Sequence, residues 1–486
     1  MKSNNKSLKV NVIMNAILTM SSFVFPLITF PYVSRILLPE GTGKVSFATS
    51  LIAYFLMFAQ LGIPTYGVRA CAKVRDDRLE LTRTAQELLL INLIMGVLSY
   101  VALFLALAFV PRLQDERALY LVVSLSIAFN IIGMEWLYKA LEQYTYITIR
   151  SIIFKLVAVI AMFALVHKQE DYIIYGGITI LAASASNVFN FFHARKYISL
   201  KPIGGYQFKR HCRAIVIFFA MACATTIYTN MDTVMLGFMS TNDMVGYYNA
   251  AVRIKNILVS IVASLGAVLL PRASYYVERG EMDKFRRITQ KALNFVFVLA
   301  PSLMLYFMLF AKQGIFFLSG DAYAGAVLPM QIIMPTLLFI GLSNILGIQM
   351  LVPLGKERVV LVSEIVGAGV DLISNLLLIP RFGAAGAAVS NLLAEFAVLM
   401  VQYSALKNDV NSTLYAIQYW KIALGLVVGA MVSYWVAELE FNVFVTLVIS
   451  ACLFFAAYGI VLLVTKETLL LEIVKQIMDR IRKKQV

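Results

Sequence analysis

Seven charged side chains stand inside stretches that are otherwise apolar: Lys155, Asp232, Arg253, Lys255, Glu364, Asp371 and Glu395. Two more carboxylates, Glu135 and Glu142, fall near the end of another such stretch. These residue types can bind and balance charge. An arginine fork holds a phosphate-type oxygen through two parallel hydrogen bonds, and a lysine does so as a point charge. A carboxylate can neutralise such cations or carry a proton. A charge at the centre of a bilayer costs about 2.5–3.5 kcal/mol, so seven would cost on the order of 20 kcal/mol if all faced lipid. That exceeds the usual net stability of about 5–15 kcal/mol. The seven must therefore face the interior, pair, or line water. Arg253 and Lys255 are two apart and cannot share one helical face, whereas Glu364 and Asp371 are two turns apart on one face. Bond-making chemistry has no constellation here: there is no G-x-S-x-G, H-E-x-x-H or P-loop. The three histidines, His167, His193 and His211, form no metal pattern. We expect no cofactor, no metal and no enzyme.

The elements that must position these charges are membrane spans. Sixty per cent of the 486 residues are apolar and 14% are charged, the composition of a polytopic membrane protein. Apolar runs cover about 10–34, 45–69, 85–110, 118–138, 147–166, 172–193, 214–237, 244–271, 289–311, 325–350, 360–379, 386–404, 419–437 and 443–464. Each reaches across ~30 Å of hydrocarbon, which predicts an all-α protein of about fourteen transmembrane helices. With the N-terminus inside, 32 of the 42 Lys and Arg residues fall in inner segments and 7 in outer ones. The positive-inside rule then puts both ends in the cytosol. The net charge of +15 follows from those loops, so nucleic acid is not an expected partner. The first run lacks a cleavage site and reads as a span, not a signal peptide. Cys71, Cys212, Cys223 and Cys452 show no paired spacing and are expected to be free thiols.

A weak internal repeat organises the spans. Gly43 and Gly246 open spans two and eight, and Arg69-Ala70 and Arg272-Ala273 close them, all at an offset of 203. The largest inner loop, near 194–213, separates span six from span seven and carries Lys201-Pro202 and Gly204-Gly205. The expected layout is therefore a six-helix bundle over 1–200, a second over 201–410, and spans thirteen and fourteen with a cytosolic tail over 411–486. Two parallel repeats of this kind commonly hold a transport site between them. Pro26, Pro31, Pro64, Pro301, Pro329, Pro335 and Pro353 lie in or near spans, where each frees a carbonyl and can bend a helix.

Several stretches resemble one family. Phe25-Pro-Leu-Ile-Thr-Phe-Pro-Tyr-Val-Ser-Arg-Ile-Leu followed by Pro39-Glu-Gly-Thr-Gly-Lys-Val is similar to the first span and loop of Wzx-type polysaccharide repeat-unit flippases. So is Leu61-Gly-Ile-Pro-Thr-Tyr-Gly-Val-Arg69. Glu135-Trp-Leu-Tyr-Lys-Ala-Leu-Glu142 with Tyr146-Ile-Thr-Ile-Arg150 resembles the hallmark of spans four and five. Val245-Gly-Tyr-Tyr-Asn-Ala-Ala251, Gly347-Ile-Gln349, Asn375-Leu-Leu-Leu-Ile-Pro-Arg-Phe-Gly383, Gly386-Ala-Ala388 and Glu395 continue the likeness to about residue 400. The resemblance implies the MOP superfamily: a V-shaped pair of six-helix bundles plus two helices, alternating access, and a cationic cavity. It implies a cargo of oligosaccharide on undecaprenyl diphosphate, flipped to the outer leaflet of a bacterial cytoplasmic membrane for capsule, O-antigen or exopolysaccharide. Polysaccharide polymerase and other assembly proteins would be its partners. Arg35, Arg69 and Arg253 match places where relatives put cavity cations; Lys155 and Lys255 join them as candidate diphosphate ligands. Asp232, Glu364, Asp371, Glu395 and Glu135 are the acidic candidates for balance or energy coupling. Two positions depart from the pattern: Cys71 where an acid is common, and Asp371 where Asn is usual. The rival readings are a cation-coupled multidrug exporter of the same superfamily and a membrane polysaccharide polymerase or ligase.

Overall fold

The computed structural model describes residues 8–415, 417–439 and 441–472. Lys2, Lys6 and the basic tail from Lys475, which enter the inner charge count, lie outside them. The described chain is helical in almost every segment, and its compact units divide between Gly246 and Tyr247. All-helical construction is what lipid demands, because only intra-helix hydrogen bonds satisfy every backbone group without water.

The first unit begins with α1, Leu8–Gln60, and α2, Ile63–Lys73. At 1.5 Å per residue, the 53 residues of α1 would run to about 80 Å, far more than one crossing. The helix is broken at Leu38 (φ 57°, ψ 178°), just before Pro39, which lacks the N–H needed to continue the ladder. The unit continues through α3 (Arg78–Phe109), the single turn α4 (Pro111–Gln114), α5 (Arg117–Gly133), α6 (Glu135–Ala140) and α7 (Tyr144–Leu165). Span four, expected to run to 138, stops at Gly133: Met134 is left-handed (φ 41°) and starts the new short helix α6. Next come α8 (Tyr172–Ile180), a π-turn at Leu181–Ala185, α9 (Asn187–Ala194), and α10 (Lys209–Met239). α1 is the central post, packed by α3, α5, α7, α8 and α10.

Small residues set how closely these helices approach, as membrane packing without a hydrophobic drive requires. A Cβ on Gly43 would sit 1.9 Å from the Asn242 carbonyl oxygen and 3.0 Å from the Gly246 nitrogen. One on Gly246 would sit 2.2 Å from the Pro39 oxygen. The two repeat-related glycines thus face one another.

The second unit holds most of α11 (Asn242–Glu278), then α12 (Met282–Leu309), α13 (Ala311–Ser319), α14 (Val327–Ile333) and α15 (Thr336–Asn344). A π-turn at Ile345–Leu351 precedes α16 (Glu357–Tyr415), α17 (Tyr419–Tyr434) and α18 (Val443–Val464). Span ten, expected as one run, is a bent pair meeting at 45°, with Pro335 at its break. The 59 residues of α16 break at Gly383 (φ 53°, ψ −125°), and a Cβ on Gly386 would lie 2.5 Å from the Leu378 oxygen. Residues eight apart can touch only if the chain turns back, so α16 is a hairpin of two spans. The pair α17–α18 packs small on large: Gly425 meets Tyr458, and Gly429 meets Phe454.

Among the described residues, ten helices are long and apolar enough to cross a membrane, or twelve if each bent pair is one span. The surface is apolar where lipid would lie. Ile94, Val97, Leu98, Val101, Phe104 and Leu105 line one side of α3, all at least half exposed. Polar residues such as Asn92, Asn190, Gln349, Asn375 and Gln402 are buried. This inversion marks a multi-pass membrane protein.

Candidate functional site

Five of the ten candidate residues belong to the first unit. Lys155 on α7 is half-buried and donates to the Ser21 hydroxyl at 2.8 Å and the Ser22 hydroxyl at 3.0 Å, both on α1. Neutral hydroxyls solvate this cation without cancelling its charge. Glu135 sits in the first turn of α6, set there by the left-handed Met134. It pairs with Lys139 at 2.8 Å and lies 3.6 Å from Arg150. Asp232 is buried in α10. Arg35 is exposed and donates to the Pro31 oxygen at 2.5 Å, and Arg69 is exposed on α2.

The charge count takes Arg150, at the start of the 147–166 run, as an inner cation. It is instead 8% exposed, held on α7 with its Nη2 donating to Asn187 Oδ1 at 3.1 Å. Asn187 comes this close because Gly133 opposes it: a Cβ there would be 2.4 Å from that of Asn187. The usable signal was the Asn187/Asn190 pair at one-turn spacing in an otherwise apolar span.

Two further networks of the first unit are not visible in the sequence, because both join residues from elements far apart in the chain. At one end, Lys44 bridges Glu40 (3.1 Å) and Glu116 (2.9 Å), while the Tyr172 hydroxyl donates to Glu116 at 2.6 Å. Arg112 donates to the Gly237 oxygen at 2.9 Å and to Asn242 Oδ1 at 2.7 Å. Glu40, Lys44, Arg112, Glu116 and Asn242, with Phe47, Asp115 and Tyr120, line a cavity of about 200 Å³. At the other end, the buried carboxylate of Glu87 accepts from the Gln207 backbone N–H (2.5 Å), Arg210 (2.6 Å) and His211 (2.7 Å). Arg210 also pairs with Glu80, and the Tyr66 hydroxyl meets His211 Nδ1 at 2.7 Å. Gln86 donates to the Ser199 and Lys201 oxygens and accepts from Tyr206. The loop expected as a linker is therefore stitched to α3.

The second unit carries the other five. Lys255 is buried on α11 and donates to Asn391 Oδ1 at 3.1 Å, while Arg253, two residues away, is only partly covered. Asp371 and Glu395 are buried in the two arms of α16. Glu364 is exposed between exposed Leu361, Val362 and Ile365, so it does not share the burial of Asp371 two turns on. A polar seam runs beside them: Gln402 donates to Ser363 at 3.1 Å, and Gln349 donates to Asn344 at 3.4 Å against Gly266. Among the described residues no His, Cys, Asp and Glu cluster could hold a metal, and the four cysteines are free thiols. The arrangement can solvate and orient anionic or hydroxylated cargo.

Comparison with known proteins bears on the fold and the family. The chain is 25% identical over 414 residues to a protein of Escherichia coli (strain K12) named "Putative O-antigen transporter", spanning 84% of this chain and 99% of that one. Its fold matches the solved structure of the lipid II flippase MurJ in an inward closed conformation, with a TM-score of 0.72 at 15% identity over 93% of this chain and 98% of that one. It also matches an inward-facing multidrug resistance MATE family transporter of the MOP superfamily, with a TM-score of 0.61 at 13% identity over 84% of this chain and 99% of that one. Since the model of the polysaccharide biosynthesis protein family matches residues 8–277, more than half of the chain, this protein belongs to that family.

Proposed function

We propose that this protein is a flippase, not an enzyme. It moves undecaprenyl-diphosphate-linked oligosaccharide repeat units from the inner to the outer leaflet of the bacterial cytoplasmic membrane by alternating access. The observation that carries this reading is family membership joined to an end-to-end relative named as an O-antigen transporter. Buried Lys255, which donates to Asn391, and half-buried Lys155, which donates to the Ser21 and Ser22 hydroxyls, support it. A sugar chain crossing bare hydrocarbon would strand many hydroxyls at several kcal/mol each, and a diphosphate far more. A hydrated path lined with cations removes that barrier while the lipid tail stays in the bilayer. The negative cell interior favours outward movement of an anion by ~2.3 kcal/mol per charge per 100 mV.

In this reading the chain crosses fourteen times with both ends cytosolic. The 64-residue candidate span splits at Leu38 into two crossings, and the 17-residue helix Arg117–Gly133, just under the usual length, supplies another. Spans one to six, seven to twelve, and thirteen to fourteen group as 1–200, 201–410 and 411–486. Arg35, Arg69, Lys155, Arg253 and Lys255 serve the diphosphate; Asp232, Glu364, Asp371, Glu395 and Glu135 balance charge or couple energy. Purified protein in proteoliposomes should speed the appearance of labelled lipid-linked oligosaccharide at the opposite face, read by glycosidase access. Arg253→Ala should abolish this, and Arg253→Lys should restore part of it. Vesicles no faster than protein-free ones, with dye cations transported instead, would replace this reading with a multidrug exporter.

A further inference from the structure

We propose that Arg150 is the cation of a second, buried oxyanion site, lying wholly within the first unit where α6, α7 and α9 converge. A guanidinium has five N–H donors. In Arg150, one nitrogen reaches Asn187 at 3.1 Å, but Nε and Nη1 are buried with no hydrogen-bond partner among the described residues. Asn190, fully buried one turn beyond Asn187, leaves both its amide atoms unpartnered, as the Thr145 hydroxyl is. The Tyr138 hydroxyl fixes the Asn190 backbone at 2.6 Å, and Tyr146 lies between the rings around it, 4.3 Å from His193 and 5.9 Å from the Arg150 guanidinium. A π-turn, a feature often found at functional sites, precedes α9.

Charge selects the occupant. Arg150, Lys139 and Lys155 share this neighbourhood with one carboxylate, Glu135. Glu135 gives its short contact, 2.8 Å, to Lys139 and stands 3.6 Å from Arg150, beyond hydrogen-bond length. Glu142 is engaged elsewhere, with Arg75 at 2.9 Å. Water would satisfy the free N–H groups but leave Arg150 with only the shared carboxylate of Glu135, 3.6 Å away, against its buried charge. A phosphate-type oxygen satisfies both demands. Glu135, with a side chain 34% exposed, marks the way in, and it is the group that competes with the ligand. The shared chemistry is that of a phosphate, whether free or carried on a lipid; binding itself does not depend on the flippase reading.

The test is thermal unfolding of the purified full-length protein in detergent, with sodium phosphate or pyrophosphate titrated against sodium chloride at equal ionic strength. Wild type should show a saturable rise in midpoint with the phosphates alone. Arg150→Gln should lose it, and Arg150→Lys should weaken the apparent affinity about tenfold for want of the fork. Asn190→Leu should also lose it, which covers the case in which Arg150→Gln does not fold. Glu135→Gln should tighten binding about fivefold or more by removing the competing carboxylate, and Lys312→Gln, an exposed cation of the second unit, should leave the shift unchanged. A polyprenyl diphosphate that binds better than pyrophosphate identifies a lipid headgroup as the occupant; equal binding identifies the free anion, and either supports the site. No saturable shift in wild type, an undiminished shift in both Arg150→Gln and Asn190→Leu, or weaker binding in Glu135→Gln would overturn it. The assay reads no transport, so its failure is separate from failure of the flippase reading.

Discussion

Gly43→Ala adds one methyl group where the chain has no space for it. The new Cβ would stand 1.9 Å from the Asn242 backbone oxygen, and real Cβ contacts begin at about 3.0 Å. The neighbour is backbone, so no side chain can swing away, and the helices must part by more than an ångström. Overpacking costs about 1–3 kcal/mol and sometimes more, and this site belongs at the top of that range. Alanine returns about 1 kcal/mol through helix propensity, which leaves a net loss of about 2 kcal/mol. Gly369 in α16 is the internal standard, because a methyl group added there would meet nothing within 4 Å. Gly369→Ala should gain about 1 kcal/mol. At roughly 2 °C per kcal/mol for a chain of this size, Gly43→Ala lowers the thermal midpoint by about 4 °C and Gly369→Ala raises it by about 2 °C. Gly246→Ala should resemble Gly43→Ala, since its Cβ would meet the Pro39 oxygen at 2.2 Å. The double variant should cost about 1 kcal/mol less than the two single losses together, because helices already forced apart admit the second methyl more easily. The measurement is tryptophan fluorescence during heating in detergent. A Gly43→Ala midpoint at or above wild type would refute the packing argument, and strict additivity would refute the shared contact.

Two shorter predictions concern carboxylates. Glu87→Ala should destabilise the protein by about 2–3 kcal/mol, below the roughly 3–5 kcal/mol of a fully buried broken pair because Arg210 is partly exposed and keeps Glu80. It should also speed proteolysis of the 199–207 loop, and unchanged cleavage would count against the stitching role. Glu467 lies beyond α18: burial pushes its carboxyl up, but donation from Asn294 and the backbone of Leu470 and Leu469 outweighs this and holds it below its ordinary value near 4.5. A depressed pKa contributes stability that is present above the ordinary value and lost as pH falls through the folded value. The gap in midpoint between wild type and Glu467→Gln should therefore be level from about pH 7 to pH 5 and shrink below about pH 4; a gap that widens on acidification would contradict this.

How much is legible in the sequence depends on whether a signal is local. Apolar length gives spans, so α3, α7, α10, α12, α17 and α18 stand close to where hydropathy puts them. Breaks are partly legible: Pro39 and Gly383 mark the turns in α1 and α16, but nothing around Met134 signals its left-handed backbone, and hydropathy alone makes span four too long. The charged candidates are visible because one charge in an apolar run stands out. Arg150 is hidden for the opposite reason, since it lies close to a polar turn and only its partners on α9 show that it is buried. The Glu87 and Lys44 networks draw on elements more than 70 residues apart in sequence, and no spacing rule links such residues.

The division of the fold after Gly246 also bears on how the protein is made. α10 packs on α1 and α2, setting Phe218 against Gly62 and placing Gly237 on Phe47. Those contacts involve residues translated about 150 to 190 positions after their partners. While the ribosome synthesises that interval, the tight glycine seams of the first two spans have no helix to fill them. A chain released just after the Lys201–Gly205 loop would therefore hold every span that hydropathy assigns to the first bundle and still expose Gly62 and Phe47. Quality-control proteases of the membrane should distinguish release at residue 205 from release at residue 250, the first product short-lived and the second persistent. In the growing polypeptide the first stable particle is the whole first unit, α1 to α10, completed by the opening turn of α11.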